Sequence, residues 1–467
     1  MRRHKVQDMS NKDQQSKKYF GTDGIRGQAN THPMTAEMAL KVAMATASVL
    51  RTARGGKHMD RVVIGKDTRL SGYMLEQAMS AGFVSMGMDA ILIGPIPTPG
   101  IAKLTRSLRA DVGVMISASH NSYEDNGIKL FGPDGYKLAD EIEKKIEDKI
   151  DADLTEELSP PEEIGKANRL DDALGRYIES LKRSIPRRGT LEGLKVVVDC
   201  ANGAAYKVAP QVLWELEVDV IAIGDKPNGK NINDGFGATA TGHLQEAVVD
   251  YGADVGIALD GDADRLIMVN EKGDKVDGDQ IMAAMALWFK EQELLKGGGL
   301  VATVMSNLGL ERLMMQNGLT LERTAVGDRY VVEYMRENGY NLGGEQSGHI
   351  VMGDYATTGD GLLAALQILS ILKHKEQTAS EALNIFEPCP QFLKNVRFFG
   401  ENPIYNESVR MKIEEAQKGF ADKGRILVRP SGTEPLVRVM AEGDDSDLVR
   451  NIVDDVCEVI EKAVEAG

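Results

Sequence analysis

The sequence predicts an α/β protein of four domains, three of them related α/β units and the last a smaller α+β unit. Three observations predict it. The chain has 467 residues, well past the roughly 250–300 at which a single core stops growing, so two to four domains are expected. Strand-like apolar runs alternate with helical patterns for most of the length, the mark of α/β units with largely parallel sheets. A three-strand pattern also occurs three times in the same order.

Taken in order, residues 1–18 are basic with no apolar run behind them. They read as a flexible tail, not a secretory signal. The first unit, 19–160, carries RVVIGKDTR at 61–69, MDAILIGPIPTP at 88–99 and ADVGVMISASHN at 110–121. A helix over 138–150 follows, with Leu138, Ile142, Ile146 and Ile150 on one stripe. The acidic, proline-containing stretch 151–163 then reads as a linker. The second unit, 161–274, repeats the pattern as KVVVDCANG at 195–203, EVDVIAIGDKPNG at 217–229 and ADVGIALDGDADR at 253–265. The third, 275–387, repeats it more weakly as LVATVMSNLG at 300–309, LTLERTAVGDRY at 319–330 and YNLGGEQSGH at 340–349. Its apolar run at 362–372 is short of the roughly 18–20 residues of a membrane span and predicts a buried helix. The fourth unit, 388–467, changes style. GRILVRPSGTEPLVRVMAEG at 424–443 predicts two strands around a tight loop, and a helix is expected over 446–464.

Composition narrows the function. Hydrophobic residues at 42% and charged residues at 27% are ordinary for a folded soluble chain. The net charge of −16 argues against an extended nucleic-acid or anionic-membrane surface. Much of that acidity lies in 140–163 and 442–467, where solvated faces are expected. Cys200, Cys389 and Cys457 are far apart, which suits neither a disulfide framework nor a zinc site and points to a reducing cytoplasm.

Each repeat ends in a polar loop. In DGDADR, Asp260, Asp262 and Asp264 alternate just past a strand. Crowded carboxylates call for a cation, and an all-oxygen set suits Mg²⁺ or a similar hard ion. A plain polar turn or a calcium-type loop is the alternative. ISASHN offers Ser119 as a nucleophile beside His120, or else a small-residue turn; the G-x-S-x-G elbow of hydrolases is absent. GEQSGH sets Glu345, Gln346, Ser347 and His349 in a glycine-flanked loop, with the donors and acceptors that sugar hydroxyls need, although a surface loop would look similar. In the fourth unit, RPSGTEP with the returning strand supplies Arg429, Ser431, Gly432, Thr433 and Arg438, a pattern suited to phosphate oxygens as well as to an ordinary hairpin. GTDGIRG at 21–27 is a glycine-rich turn with Arg26 and is not a dinucleotide fingerprint.

These five loops, in this order, resemble those of the α-D-phosphohexomutases, from about residue 19 to the C-terminus. YFGTDGIRG, ISASHN, VGDRY and EQSGH are similar to the branch that acts on amino sugars. The resemblance implies four domains around a central cleft, three of them related mixed-sheet α/β domains, with Ser119 carrying a phosphoryl group. It implies Mg²⁺ held by Asp260, Asp262, Asp264 and the phosphorylated Ser119. Glu345, Ser347 and His349 would face the sugar, Asp328 and Arg329 would help select it, and Arg429, Ser431, Gly432, Thr433 and Arg438 would hold the non-reacting phosphate. Lys129 is the preferred proton carrier, with His120 an alternative, and Arg26 and Arg265 would stabilise transferring charge. The implied reaction converts glucosamine 6-phosphate to glucosamine 1-phosphate, primed by a trace of sugar 1,6-bisphosphate, in a possible homodimer. A glucose or mannose phosphate mutase and a non-catalytic phosphosugar-binding protein are the alternatives. One departure stands out: Ser122 follows Asn121 where the family usually has proline, which removes a φ restraint.

Overall fold

The computed structural model describes residues 18–54, 60–185, 190–420, 423–431 and 435–465, with 51–54 as backbone only. Most of the expected tail, 1–17, lies outside the described residues, as do Gly432 and Thr433.

The three repeats share one sheet plan. In the first unit, strand Arg61–Lys66 pairs in parallel with Asp89–Pro95 on one side and Val112–Ile116 on the other, and Asp125–Phe131 closes antiparallel on Val112–Ile116. The second unit builds the same order from Lys195–Asp199, Asp219–Ile223, Val255–Leu259 and Leu266–Asn270. The third builds it from Gly299–Thr303, Thr320–Thr324, Leu342–Gly344 and Ile350–Met352. Each sheet is therefore mixed, with a fourth, antiparallel strand that the repeat did not include. Its consequence is positional. The serine loop (117–124), the aspartate loop (260–265) and the loop 345–349 each link the third strand of a unit to its fourth.

Alternate strand residues face the helices on either side, so the central strands are buried throughout: Val112–Ile116 and Val255–Leu259 have no exposed position. Helix Gly361–Lys375, expected from its apolar run, is buried nearly all round and packs against the second and third sheets. Strand Ala167–Arg169 joins the edge of the first sheet beside Asp89–Pro95, so that sheet draws on residues past 160. Strand Lys275–Val276 likewise completes the second sheet. The stretch 151–163 holds two short 3₁₀ turns, Thr155–Glu157 and Pro161–Glu163.

The last unit has the two expected strands, Gly424–Pro430 and Leu436–Gly443, and helix Ser446–Glu465. It also has strand Gln391–Arg397 on the far side of Leu436–Gly443, and helix Glu407–Phe420. Its core is separate, built from Val437, Val439, Val453 and Ile460. Arg425 ties it to the third unit. The guanidinium pairs with the fully buried Glu442 and donates to the carbonyls of Val304 and Ser306, both at 2.8 Å.

Candidate active site

Ser119 is almost fully buried and sits at φ 53°, a left-handed conformation costly for a non-glycine residue. Neighbours on both sides hold the turn there. Its N–H donates to Ser117 Oγ (2.9 Å), and its carbonyl accepts from Arg69 Nη2 (3.2 Å) and Asn233 Nδ2 (2.9 Å). The same two side chains donate to the Asn121 carbonyl at 2.6 and 2.9 Å. Arg69 is pinned in turn by buried Asp67. Ser122 accepts weakly from Arg69 Nε (3.4 Å) and bonds Glu124 Oε2 (2.8 Å), so side-chain clamps provide restraint at the position where proline is usual.

The aspartate loop lies directly against this turn. A Cβ at Gly261 would come within 2.5 Å of the Ser119 carbonyl oxygen, so only glycine allows that approach. Ser119 Oγ donates to Asp260 Oδ2 at 2.5 Å. Asp260, Asp262 and Asp264 are all buried, and each offers an oxygen within 4.8 Å of the others. Asp262 Oδ1 and Asp264 Oδ1 have no hydrogen-bond partner. Burial, followed by the charges of Asp264 and Asp262, pushes the Asp260 carboxyl up to about 8. Three buried carboxylates with unused lone pairs fit a hard divalent cation and are costly without one.

Cations surround the cluster. Lys129 Nζ, buried on strand Asp125–Phe131, is 2.8 Å from Asp262 Oδ2, 3.0 Å from Asp23 and 3.5 Å from Asp264. Burial alone would lower its pKa; Asp23, Asp262 and Asp264 outweigh it and hold the ammonium charged. Arg26 pairs with Asp23, and the Arg265 N–H donates to Asp260 Oδ1 (3.2 Å). The Nε of each arginine is buried without a hydrogen-bond partner, although Arg265 Nε lies 4.0 Å from Asp264 Oδ1. His120 Nδ1 lies 3.5 Å from Ser119 Oγ. Burial, together with Arg265 and Arg26, lowers its pKa to about 4, so the ring is neutral at pH 7.

The third unit reaches the same place. His349 is buried, with Nδ1 3.7 Å from Asp264 and Nε2 3.4 Å from Asp328. Burial opposes its protonation, but the two carboxylates push the ring up to about 9. The Gly359 N–H, aimed at Nε2 from 3.0 Å, opposes a proton on that nitrogen. Charge and geometry disagree here, and the donated N–H is the firmer constraint: it places the ring proton on Nδ1, facing Asp264. Glu345 accepts from the Gly327 N–H (3.0 Å) and from exposed Ser347 Oγ (3.1 Å). Asp328 is bound by Lys137 Nζ (2.6 Å) from the first unit. Arg329 is turned towards Asp140 and Glu143 on helix Asp140–Ile150, so in this conformation it clasps two units together.

Arg429 and Arg438 stand apart. They face each other across paired strands, and among the described residues nothing joins them to the serine or aspartate loops. Burial and Arg438 lower the Arg429 pKa, and Arg438 Nε is buried without a partner. Two like charges directly opposed are unfavourable unless an anion lies between them. The Ser431 N–H donates to the Leu436 carbonyl (2.8 Å), closing the base of that loop.

Sequence reasoning missed several supports. Thr98 opens helix Thr98–Ser107, and its hydroxyl and N–H donate to Asp262 Oδ2 (2.6 Å) and the Asp262 carbonyl (2.9 Å). Asp23 organises Lys129, Lys137 and Arg26. Asp67, Arg69 and Asn233 shape the serine turn. Asp23 and Arg69 lie within GTDGIRG and KDTR, where only the glycines, Arg26 and the first-strand position carry a sequence signal.

Four consecutive matches account for nearly all of this chain. The alpha/beta/alpha domains I, II and III of phosphoglucomutase/phosphomannomutase match residues 17–157, 175–273 and 277–389, and the C-terminal domain matches 393–459. The chain belongs to the phosphoglucomutase/phosphomannomutase family. Among its relatives, the phosphoglucosamine mutase of Agrobacterium fabrum is 59% identical over 97% of this chain and 100% of its own length. That of Methylorubrum extorquens is 60% identical over 96% and 99%. Among solved structures, a phosphoglucomutase/phosphomannomutase family protein from Burkholderia thailandensis superposes with a TM-score of 0.79 at 24% identity, covering 95% of this chain and 97% of the other. N-acetylphosphoglucosamine mutase from Aspergillus fumigatus, in complex with GlcNAc-6P and magnesium, gives 0.64 at 18%, covering 96% of each chain. At these identities the two structures speak to the fold alone.

Proposed function

We propose that this chain is a phosphoglucosamine mutase, interconverting glucosamine 6-phosphate and glucosamine 1-phosphate through a phosphoryl group carried on Ser119, for cell-envelope precursor synthesis. The observation that carries the mechanism is the contact of a buried, strained serine hydroxyl with a carboxylate triad. Around that contact, two carboxylate oxygens and two guanidinium Nε groups are buried without hydrogen bonds. Such a site has unmet demand for a cation and for an anion together. The relatives near 60% identity support the amino sugar as substrate.

Asp260, Asp262 and Asp264, with an oxygen of phosphorylated Ser119, would hold Mg²⁺. When bound, the ion supplies charge withdrawal from the phosphoryl group. The chain's own residues do the rest. The Arg69 and Asn233 clamps fix Ser119 for in-line transfer, and Arg26 and Arg265 neutralise the transferring oxygens. His120, neutral and nearest to Ser119 Oγ, is placed to take a proton, and Lys129, held as an ammonium, to give one. Transfer from Ser119 to the free sugar hydroxyl breaks the serine O–P bond and forms a sugar 1,6-bisphosphate. The bisphosphate then turns end for end and returns its other phosphoryl group to Ser119. Arg429, Ser431, Gly432, Thr433 and Arg438 hold whichever phosphate is not reacting. Glu345, Ser347, His349 and Asp328 face the sugar, with Arg329 as an interunit clasp that opening of the units would release. A trace of sugar 1,6-bisphosphate primes the serine. Cytoplasmic residence and a homodimer belong to the proposal by likeness to the family.

Side-by-side turnover on glucosamine, glucose and mannose 6-phosphates tests the assignment. Glucosamine 6-phosphate should be preferred by at least about tenfold, as expected where a site pairs a polar substituent. Equal or greater turnover of the glucose or mannose phosphate would reassign the chain within its family.

A further inference from the structure

Away from this site, a cavity of about 140 Å³ lies where three units meet. Its walls are helix Thr98–Ser107 of the first unit, helix Ala173–Lys182 and the residues after it, and the third-unit stretch 354–363. Three cations line it: Lys103, Arg106 and Arg183. Among the described residues, no carboxylate lies within ion-pair distance of any of them. The two acids on the walls are already engaged. Asp354 is bound by Lys296 and Asn341, and Asp360 accepts from Tyr177 Oη and the Leu363 N–H. A second, independent observation points to a ligand. Thr358 lines the cavity and is only 3% exposed, and its hydroxyl has no hydrogen-bond partner. Buried hydroxyls are normally satisfied. Burial first, then Arg106 and Arg183, lowers the Lys103 pKa, with the charge of Asp360 opposing them only in part.

The cavity is preformed. Thr98, which opens the helix on one wall, is bonded to Asp262, and Thr357 on the other wall donates to the Gly135 carbonyl at 2.6 Å. It is smaller than the roughly 300–1,000 Å³ of pockets that enclose a whole ligand, so it suits one charged group. It shares Lys103, Ser180 and Arg183 with a neighbouring groove of about 480 Å³, whose other walls combine apolar Leu104 and Ile178 with acids already held by cations: Asp172 by Arg176, and Glu179 and Glu215 by Lys182.

We propose that this cavity is a second anion site, taking the phosphate group of a phosphomonoester whose uncharged body lies in the neighbouring groove. Lys103 and Arg183 supply charge at the shared rim, and the Thr358 hydroxyl donates from the floor. The site is independent of the mutase chemistry and of the Arg429 and Arg438 pair.

Equilibrium dialysis of the full chain tests it, with labelled glycerol phosphate and labelled inorganic phosphate as probes. Both are measured in a background carrying R429A and R438A. Saturable binding of glycerol phosphate is expected. It should weaken at least about tenfold when K103A and R183A are added, the loss of two charge-assisted contacts. Thr358→Val, which keeps shape and charge, should weaken it about threefold. Binding of inorganic phosphate alone, lost with the same variants, retains the anion site and assigns it to free phosphate. Binding indifferent to K103A and R183A, or no binding of either probe, overturns the proposal.

Discussion

Ser122 shows how a single residue is read in context. By sequence, a serine where proline is usual loses a φ restraint and should loosen the catalytic turn. The structure supplies the restraint from elsewhere, because Arg69 and Asn233 grip the carbonyls of Ser119 and Asn121. Among the described residues the Ser122 N–H makes no hydrogen bond, so proline there removes no donor in use. S122P is therefore expected to change kcat by less than about twofold and to raise stability by at most about 1 kcal/mol, as read from thermal unfolding. A large loss of turnover would mean that the Ser122–Glu124 contact matters more than the clamps. The loop residues were legible in the sequence because their chemistry is unusual at that spacing: alternating aspartates, a serine beside histidine, paired arginines. Their supports were not. Thr98, Asp67 and Asn233 look like ordinary turn residues until the fold brings distant segments together.

At the scale of elements, the recurring link from third strand to fourth accounts for the site. Each unit delivers a different loop from the same topological position, and the contacts of Ser119 with Asp260 and of His349 with Asp264 join the three. The three repeated strand segments of each unit were legible from the alternation of apolar runs with helical patterns, but their 2-1-3 order in the sheet was not. Mixed sheets were expected from the resemblance, but the particular antiparallel strand was not picked out, because Leu266–Asn270 and Ile350–Met352 are short apolar runs that read equally well as buried loop or strand. Asn233 crosses from the second unit onto the first unit's serine turn. N233D would set a carboxylate against two carbonyl oxygens, and kcat should fall about tenfold or more while the unfolding midpoint moves little; unchanged kcat would remove the clamp from the account. A second element, helix Gly361–Lys375, begins at Asp360, whose carboxyl is pushed up to about 6 by burial. The raised value means the folded state binds a proton more tightly than the unfolded chain does. Ionisation of Asp360 thus costs stability above about pH 6, and the cost fades towards pH 4. Asparagine keeps the Oδ1 that accepts from Tyr177 and Leu363. D360N should therefore be at least as stable as wild type at pH 7.5, with the difference shrinking as pH falls to 4.5. A difference that grew on acidification would contradict the buried-carboxyl reading.

For the whole molecule, charge and division of labour are connected. The −16 sits largely on helix Asp140–Ile150 with the stretch after it and on the C-terminal helix region, while Arg26, Lys129, Arg265, Arg429 and Arg438 supply positive charge where an anionic sugar phosphate would lie. At physiological salt, surface acids more than about 8 Å away are largely screened from such a site. The last unit carries its own core and the opposed arginines, and polar contacts that join it to the third unit include Arg425, Glu442 and the Arg312–Asp444 ion pair. A separate phosphate grip suits a reaction in which either end of the sugar must be held in turn. The most direct test is ³¹P NMR of glucosamine 6-phosphate with Mg²⁺ and a trace of the 1,6-bisphosphate, comparing wild type with S119A. Wild type should produce the 1-phosphate resonance without inorganic phosphate, and S119A should be slower by at least about 1,000-fold, as expected on removal of a nucleophile. Equal rates in the two proteins, or release of inorganic phosphate in place of the 1-phosphate, would contradict a phosphoryl group carried on Ser119.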